Sequence, residues 1–266
     1  MPRYIVSSPN PRAGLSNRIK CLISCIRICA QRDNNKLVLN WSKSTNFNCD
    51  FNDLFENKFL PEWNDGSDSL DQYHANSSQR VINTWRLIAS QDELSCDPAI
   101  QTLQPDAIDF QYEAIPLQIR QDYIPCFDQL IAQQTIREEV NVFSKKFDQN
   151  TISIALRTWE DCESRQHLFR LENVFSVLDR NPNSQFFISC DSSTVLNQIQ
   201  NNYGERMLVY PARTTRGDRN SKEGIQDALI ELLLLSKNSR LKASKISTFS
   251  EVAWWFGGCN AEVEII

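Results

Sequence analysis

Between Tyr4 and Leu39 the chain reads strand, turn, helix, strand, and this order constrains the fold more than any other feature. Tyr4-Ile5-Val6-Ser7 is a short β-branched run with strand character, and Pro9-Asn10-Pro11-Arg12-Ala13 is dense in turn residues. From Ile19 to Ala30 the pattern is helical. Lys20, Ser24, Arg27 and Gln31 recur at helix spacing as one polar stripe, and nearly everything else is apolar. Leu37-Val38-Leu39 then reads as a second strand. The result is a βαβ unit that opens on Gly14-Leu15-Ser16-Asn17-Arg18 at a helix N-terminus, where unpaired backbone N–H groups and the positive end of the helix dipole face outward. Taken by itself the stretch is a tight turn into a core helix. No Gly-Lys-Ser/Thr follows it, and Gly14 stands alone where a dinucleotide fingerprint has three glycines.

A chain of 266 residues suffices for one large α/β domain or two small ones. The net charge of -5 argues against non-specific nucleic-acid binding, which needs a basic surface, but leaves room for a local basic cleft. The longest apolar stretch near the C-terminus, Ala228 to Leu235, is interrupted by Glu231 and is too short for a membrane span. The first residues lack the charged, apolar and small-residue regions of a signal peptide, so the expectation is a cytoplasmic protein. Nine cysteines form no Cys-x-x-Cys pair, which excludes the zinc-ribbon and thioredoxin readings. Cys21, Cys25 and Cys29 follow a helical period and read as reduced core residues.

The middle of the chain is less legible. Cys49 to Phe55 is a short apolar anchor, Arg80 to Ser90 fits a strand or a helix, and Ile108 to Tyr112 alternates like a strand. A long helical pattern runs from Phe127 through Ile131, Ile136 and Val140 to Phe143. The polar hinge Lys145 to Asn150 marks the clearest break, dividing the chain into 1–147 and 148–266. Beyond it, strands alternate with helices: Thr151 to Leu156, Gln185 to Ser189, Met207 to Tyr210 and a short strand closing at Ile246, with helices through Leu171, Val195 and Ile225 and a last one from Ser247 to Phe256. That alternation implies a parallel sheet, whose ligands sit outside the C-terminal strand ends. Arg157, Asp191 and Ser247 all belong to that edge.

Each of these residues has a structural and a functional reading. Arg157 directly follows a core strand, and its fork suits a phosphate held by two parallel hydrogen bonds. Ser247-Thr248-Phe249-Ser250 either caps the last helix or presents hydroxyl and N–H groups to a phosphate. Asp191 could accept from a ribose hydroxyl or cap the next helix. Glu231, inside an apolar helix, requires a specific donor, from a purine edge, a ribose or an internal arginine. Arg213 and Arg216 lie on a loop that could assist. Asp161-Cys162-Glu163 reads as a solvated turn, and no Asp-x-Asp is present to hold a metal against a diphosphate. With only two histidines, His74 and His167, a His-centred triad or zinc site is not supported.

As an ordered set these segments resemble the fucosyltransferase superfamily that includes α1,6-fucosyltransferases, the nodulation fucosyltransferase and protein O-fucosyltransferases. Gly14-Leu15-Ser16-Asn17-Arg18 is similar to the family's glycine loop, with Ser16 at its second glycine. Trp41 to Phe55 is similar to a tract of bacterial members. Ala155-Leu156-Arg157 keeps the arginine of a His-x-Arg motif and replaces the histidine, and the family carboxylate after it falls on Glu160. Ser189-Cys190-Asp191-Ser192, Glu231 to Ser236 and Ser247-Thr248-Phe249-Ser250 match later motifs in the family's order. The resemblance implies a GT-B-like fold, two Rossmann-like halves with parallel sheets facing a cleft, with the acceptor on 1–147 and the nucleotide-sugar donor on 148–266. It further implies an inverting, metal-independent glycosyltransferase that moves fucose from GDP-fucose to a glycan or other hydroxyl acceptor, with no cofactor. Arg157 and Glu160 would be catalytic. Gly14, Leu15, Asn17, Arg18, Asp191, Glu231, Ser247, Thr248, Phe249 and Ser250 would bind the donor. His74, Tyr73 and Trp85 are acceptor-side candidates. A related nucleotide sugar, or a binding protein of the same fold with decayed catalysis, is the alternative that Ser16 and Ala155 keep open.

Overall fold

The computed structural model describes residues 3–31, 33–56, 62–64, 79–82, 87, 115, 117–214 and 218–266. The chain begins with β1 (Arg3–Ser7), α1 (Leu15–Ala30), β2 (Asn35–Asn40), β3 (Glu62–Asn64) and β4 (Gln79–Ile82). Two helices follow, α2 (Leu117–Phe127) and α3 (Gln134–Ser144). The second half alternates β5 (Ile152–Leu156), α4 (Leu171–Arg180), β6 (Phe186–Cys190), α5 (Ser193–Tyr203), β7 (Met207–Leu208), α6 (Lys222–Leu235), β8 (Arg240–Ala243), α7 (Thr248–Phe256) and β9 (Glu262–Ile265).

The strands form two sheets, ordered β3-β2-β1-β4 and β7-β6-β5-β8-β9, and every pairing is parallel. In each sheet the order reverses beside its first strand, which opens a crevice at the C-terminal ends of β1 and β4 and of β5 and β8. Parallel strands covered on both faces read as continuous apolar runs. β5 and β6 are accordingly buried at every position. On β5 the side chains of Ile152, Ile154 and Leu156 join a core with α4 and α5, while Ala155 faces the opposite layer.

That opposite layer is shared by both halves. One apolar cluster includes Ile5 and Leu22, passes through Tyr123 and Phe143, and continues to Phe187, Leu229 and Trp255. Phe127 stacks on Trp255 with ring centroids 5.6 Å apart. α1 is therefore internal, and its polar stripe is not a solvent face. Lys20 and Ser24 are buried, Ser24 Oγ donates to Lys20 O at 3.0 Å, and the Arg27 guanidinium lies 4.9 Å from the centre of the Tyr123 ring. Cys21 and Cys25 are free thiols inside the core, and Cys29 is half-buried, as their spacing suggests.

Three expectations are corrected here. The helical pattern from Phe127 to Phe143 is two helices, interrupted over 128–133. There the Gln133 side chain donates to Asn52 O and Phe55 O at 2.7 and 2.9 Å, and Ala132 bridges to Phe55, so bonds to a distant segment outcompete helix continuation. β8 stops at Ala243, and Ile246 is no strand residue but sits at φ 54. β9 completes the sheet beyond the last helix, where no strand is expected. The undecided stretch after Ser78 contains strand β4 at Gln79–Ile82, whereas Ile108 to Tyr112, His74, Tyr73 and Trp85 lie outside the described residues.

Candidate functional site

A cleft of about 960 Å³ is lined by residues of both halves. The N-terminal half contributes Arg12, Gly14, Leu15, Ser16, Asn17, Lys20, Asn46 and Phe47, and β5, β6 and β8 deliver Arg157, Asp191 and Ser247 from their C-terminal ends. Gly14 is the N-cap of α1 and supplies no side-chain cap, so the first amides of that helix are left to other partners. A Cβ built on Gly14 would meet nothing within 4 Å, so the space beside it belongs to the cleft. Thr248 opens α7 behind the N-cap Ser247, whose hydroxyl accepts from Ser250 N at 3.5 Å. Two helix N-termini, one from each half, thus face one hollow.

Arg157 is the best-connected charge in it. Its amide donates to Ser244 Oγ at 2.9 Å, which ties the end of β5 to the segment after β8. One guanidinium nitrogen pairs with Asp191, and the other donates to both oxygens of Asp161 at 2.7 and 2.8 Å. Burial pulls the Arg157 pKa down, but the two carboxylates outweigh it and hold the pKa above its ordinary value. The hydrogen bonds from Arg157 hold the Asp161 carboxyl below the usual range. Asp191 also accepts from Thr158 N at 2.8 Å, and the next helix is capped instead by Ser192, whose hydroxyl accepts from Val195 N at 3.2 Å. Asp191 therefore aims Arg157 and leaves capping to its neighbour. Glu231 is satisfied internally in part, since Ser189 Oγ donates to it at 2.7 Å.

Several polar atoms in this wall are unspent. Ser16 Oγ, Asn17 Oδ1 and Trp159 Nε1 are buried without a hydrogen-bond partner, and all three residues line the cleft. An unmatched buried polar group costs about 1–3 kcal/mol, a penalty that a bound ligand can remove. Trp159 and Ile246 also carry left-handed backbones, at φ 59 and φ 54. For a bulky and a β-branched residue these are strained conformations of the kind that gather at ligand sites. The Arg157 and Arg165 guanidiniums lie 4.8 and 4.9 Å from the Trp159 ring centre and hold it in place.

Of the residues singled out in the sequence, Gly14, Leu15, Asn17, Arg157, Asp191, Glu231, Ser247, Thr248 and Phe249 are gathered in this cleft. Arg18, Glu160 and Ser250 are outside its lining. Arg18 is fully buried, donates to Ala13 O, Ser42 O and Pro11 O, and lies 4.2 Å from the centre of the Phe47 ring, so it shapes the glycine loop from behind. Burial lowers its pKa to about 10. Glu160 is exposed on the far side of the turn. Ser250 Oγ donates to Ser247 O at 3.0 Å inside α7. Arg213 is committed to Asp227 through its amide and guanidinium, both at 2.7 Å, and Arg216 lies outside the described residues. Sequence reasoning missed Arg12, Trp159, Arg165 and Arg219 and dismissed Asp161, which stands four residues after Arg157. Among the described residues no group of three or more His, Cys, Asp or Glu side chains could hold a metal ion, and no helix is long and apolar enough to cross a membrane.

No family model matches the chain, and no curated protein matches it. Its fold is similar to that of NodZ alpha-1,6-fucosyltransferase co-crystallized with GDP, with a TM-score of 0.59 and 17% identity over 95% of this chain and 92% of that one. It is similar to fucosyltransferase NodZ from Bradyrhizobium, with a TM-score of 0.58 and 17% identity over 95% and 93% of the two chains. It is also similar to a mutant of Arabidopsis thaliana FUT1 in complex with GDP, with a TM-score of 0.64 and 16% identity over 100% of this chain and 70% of that one. At such identities the likeness is one of fold: the chain has the GT-B-like architecture of those fucosyltransferases, two Rossmann-like units with parallel sheets and a common cleft.

Proposed function

We propose that the cleft binds a nucleoside-diphosphate sugar, with GDP-fucose as the first candidate, and transfers the sugar to a hydroxyl of a glycan-type acceptor with inversion. The observation that carries this reading is the convergence of the Arg157 fork and the N-termini of α1 and α7 on one hollow of about 960 Å³. A diphosphate is the ligand chemistry that uses all three at once. The fold's occurrence in structures obtained with GDP and GDP-fucose supports the choice of base and sugar.

In this reading the bond between the sugar C1 and the β-phosphate oxygen breaks, and its electron pair leaves on the nucleoside diphosphate. The acceptor oxygen forms the new bond to C1 from the opposite face of an oxocarbenium-like sugar, and its proton passes to a carboxylate or to solvent. Charge develops on the departing diphosphate, where Arg157 and the amides near Thr248 and Asn17 stabilise it, each such donor typically worth about 3–4 kcal/mol of barrier. Residues 148–266 would then hold the donor, and 1–147 would face the acceptor. A second hollow of about 610 Å³, lined by Lys43, Ser44, Thr45, Asn48, Asp218, Asn220 and Ser221, shares Asn220 with the cleft and suits a polar acceptor.

A second reading, a nucleotide-sugar-binding protein without transferase activity, is favoured by Glu160 lying away from the cleft and by Ala155 at the end of β5. Two measurements separate them. Thermal-shift and calorimetric titration with GDP, GDP-fucose, UDP-sugars and dTDP-sugars is expected to select the guanine nucleotides. Slow release of GDP from GDP-fucose, abolished in Arg157→Ala, is expected of the transferase alone. Absence of any GDP-induced rise in Tm removes the guanine assignment.

A further inference from the structure

The Arg157 fork, which the proposed reading assigns to a diphosphate, is already filled. Asp161 meets it with both oxygens at 2.7 and 2.8 Å, in the parallel arrangement by which a guanidinium holds a phosphate. The two carboxylates on this arginine are not equivalent. Asp191 is 7% exposed and also accepts from Thr158 N, whereas Asp161 is 67% exposed and is reached by no other printed hydrogen bond. Arg157 itself is 31% exposed, on the side where Asp161 sits.

We propose that Asp161 is a resting counterion that occupies the phosphate position on Arg157, so that only an oxyanion able to replace a bidentate carboxylate gains the site. Asp191 remains and keeps the guanidinium aimed. Asp161 then sets selectivity for a phosphate-bearing ligand over a neutral nucleoside. The turn that carries it is suited to such an exchange. Trp159 is left-handed at φ 59, and both Thr158 Oγ1 and Trp159 Nε1 are buried without a partner. The turn therefore has hydrogen-bonding capacity that its resting arrangement leaves unused. Cys162 N donates to Trp159 O at 2.9 Å, which keeps residues 159–162 moving as one unit.

The inference rests on the diphosphate reading and is tested with GDP and guanosine by calorimetric titration of the wild type, Asp161→Asn and Asp161→Ala, with Tm recorded for each. An ion pair this exposed is worth little, so the variants are expected to bind GDP about three- to five-fold more tightly and guanosine unchanged. Asp191→Asn, which loosens the aim of Arg157, is expected to bind GDP more weakly. If the wild type binds GDP and the Asp161 variants bind it equally or less well, the counterion role is wrong and the diphosphate reading stands. If neither the wild type nor the variants bind GDP while folded, the diphosphate reading falls and this inference with it. Binding by the variants alone supports the counterion role in its strongest form.

Discussion

Lys20 of α1 and Glu251 of α7 form an ion pair at 2.7 Å with side chains 2% and 0% exposed, and it joins the two helices whose N-termini face the cleft. At an effective dielectric of about 20 the attraction at this distance is about 6 kcal/mol. Desolvating both ions takes back several kcal/mol, so the intact pair contributes modestly. Losing one partner is different, because the remaining charge stays buried, at a typical cost of about 3–5 kcal/mol. Lys20→Met and Glu251→Gln are each expected to lower Tm by roughly 6–20 °C. The double variant removes both charges and leaves the Gln carbonyl to accept from Trp255 Nε1, which donates to Glu251 at 3.3 Å. It should recover most of that loss. Differential scanning calorimetry of all four proteins closes the cycle. Two single variants within about 1 kcal/mol of the wild type, or a double variant equal to the sum of the singles, would refute the reasoning.

Two further outcomes are expected. Gly14→Ala adds a methyl that meets no protein atom within 4 Å, so stability should stay within about 1 kcal/mol while GDP affinity falls about tenfold; Gly224→Ala, whose Cβ would lie 2.6 Å from Asp218 O, should instead disturb folding, and the two are separated by comparing Tm with titration. Burial pushes Cys29, Cys49 and Cys259 to about 12 and Cys126 to about 11, so the unfolded chain loses these protons first; stability should be full below about pH 9 and fall as pH rises towards about 12, read by urea unfolding at a series of pH values. In the same state the thiols should resist alkylation at neutral pH, and rapid labelling of the folded protein would contradict the assigned burial.

Much of the second half was legible because its signals are local. β5 and β6 are apolar runs that only a doubly covered parallel strand tolerates, and the residues after them fall at the ligand-binding edge by topology. Arg157, Asp191 and Thr248 could be gathered for that reason. Other features depend on partners far along the chain. The break between α2 and α3 is set by Gln133 reaching Asn52 and Phe55, which no window around Gln133 contains. Arg18 sits beside Asn17 in sequence, yet the helix turns it inward to three carbonyls and an aromatic pair. A residue type reveals a charge but not its direction. Asp161 looked solvated because it is exposed, and its importance is visible only once the Arg157 fork is seen to close on it.

The seam of side chains from Ile5 through Phe143 to Trp255 has a mechanical consequence. Lobes glued by a continuous oily layer cannot swing like jaws without wetting it, and the Lys20–Glu251 weld resists the same movement. Molecules entering and leaving must then rely on small rearrangements of surface turns, and a scissile cut near Phe147 would strip each fragment of its cover rather than release two self-sufficient modules.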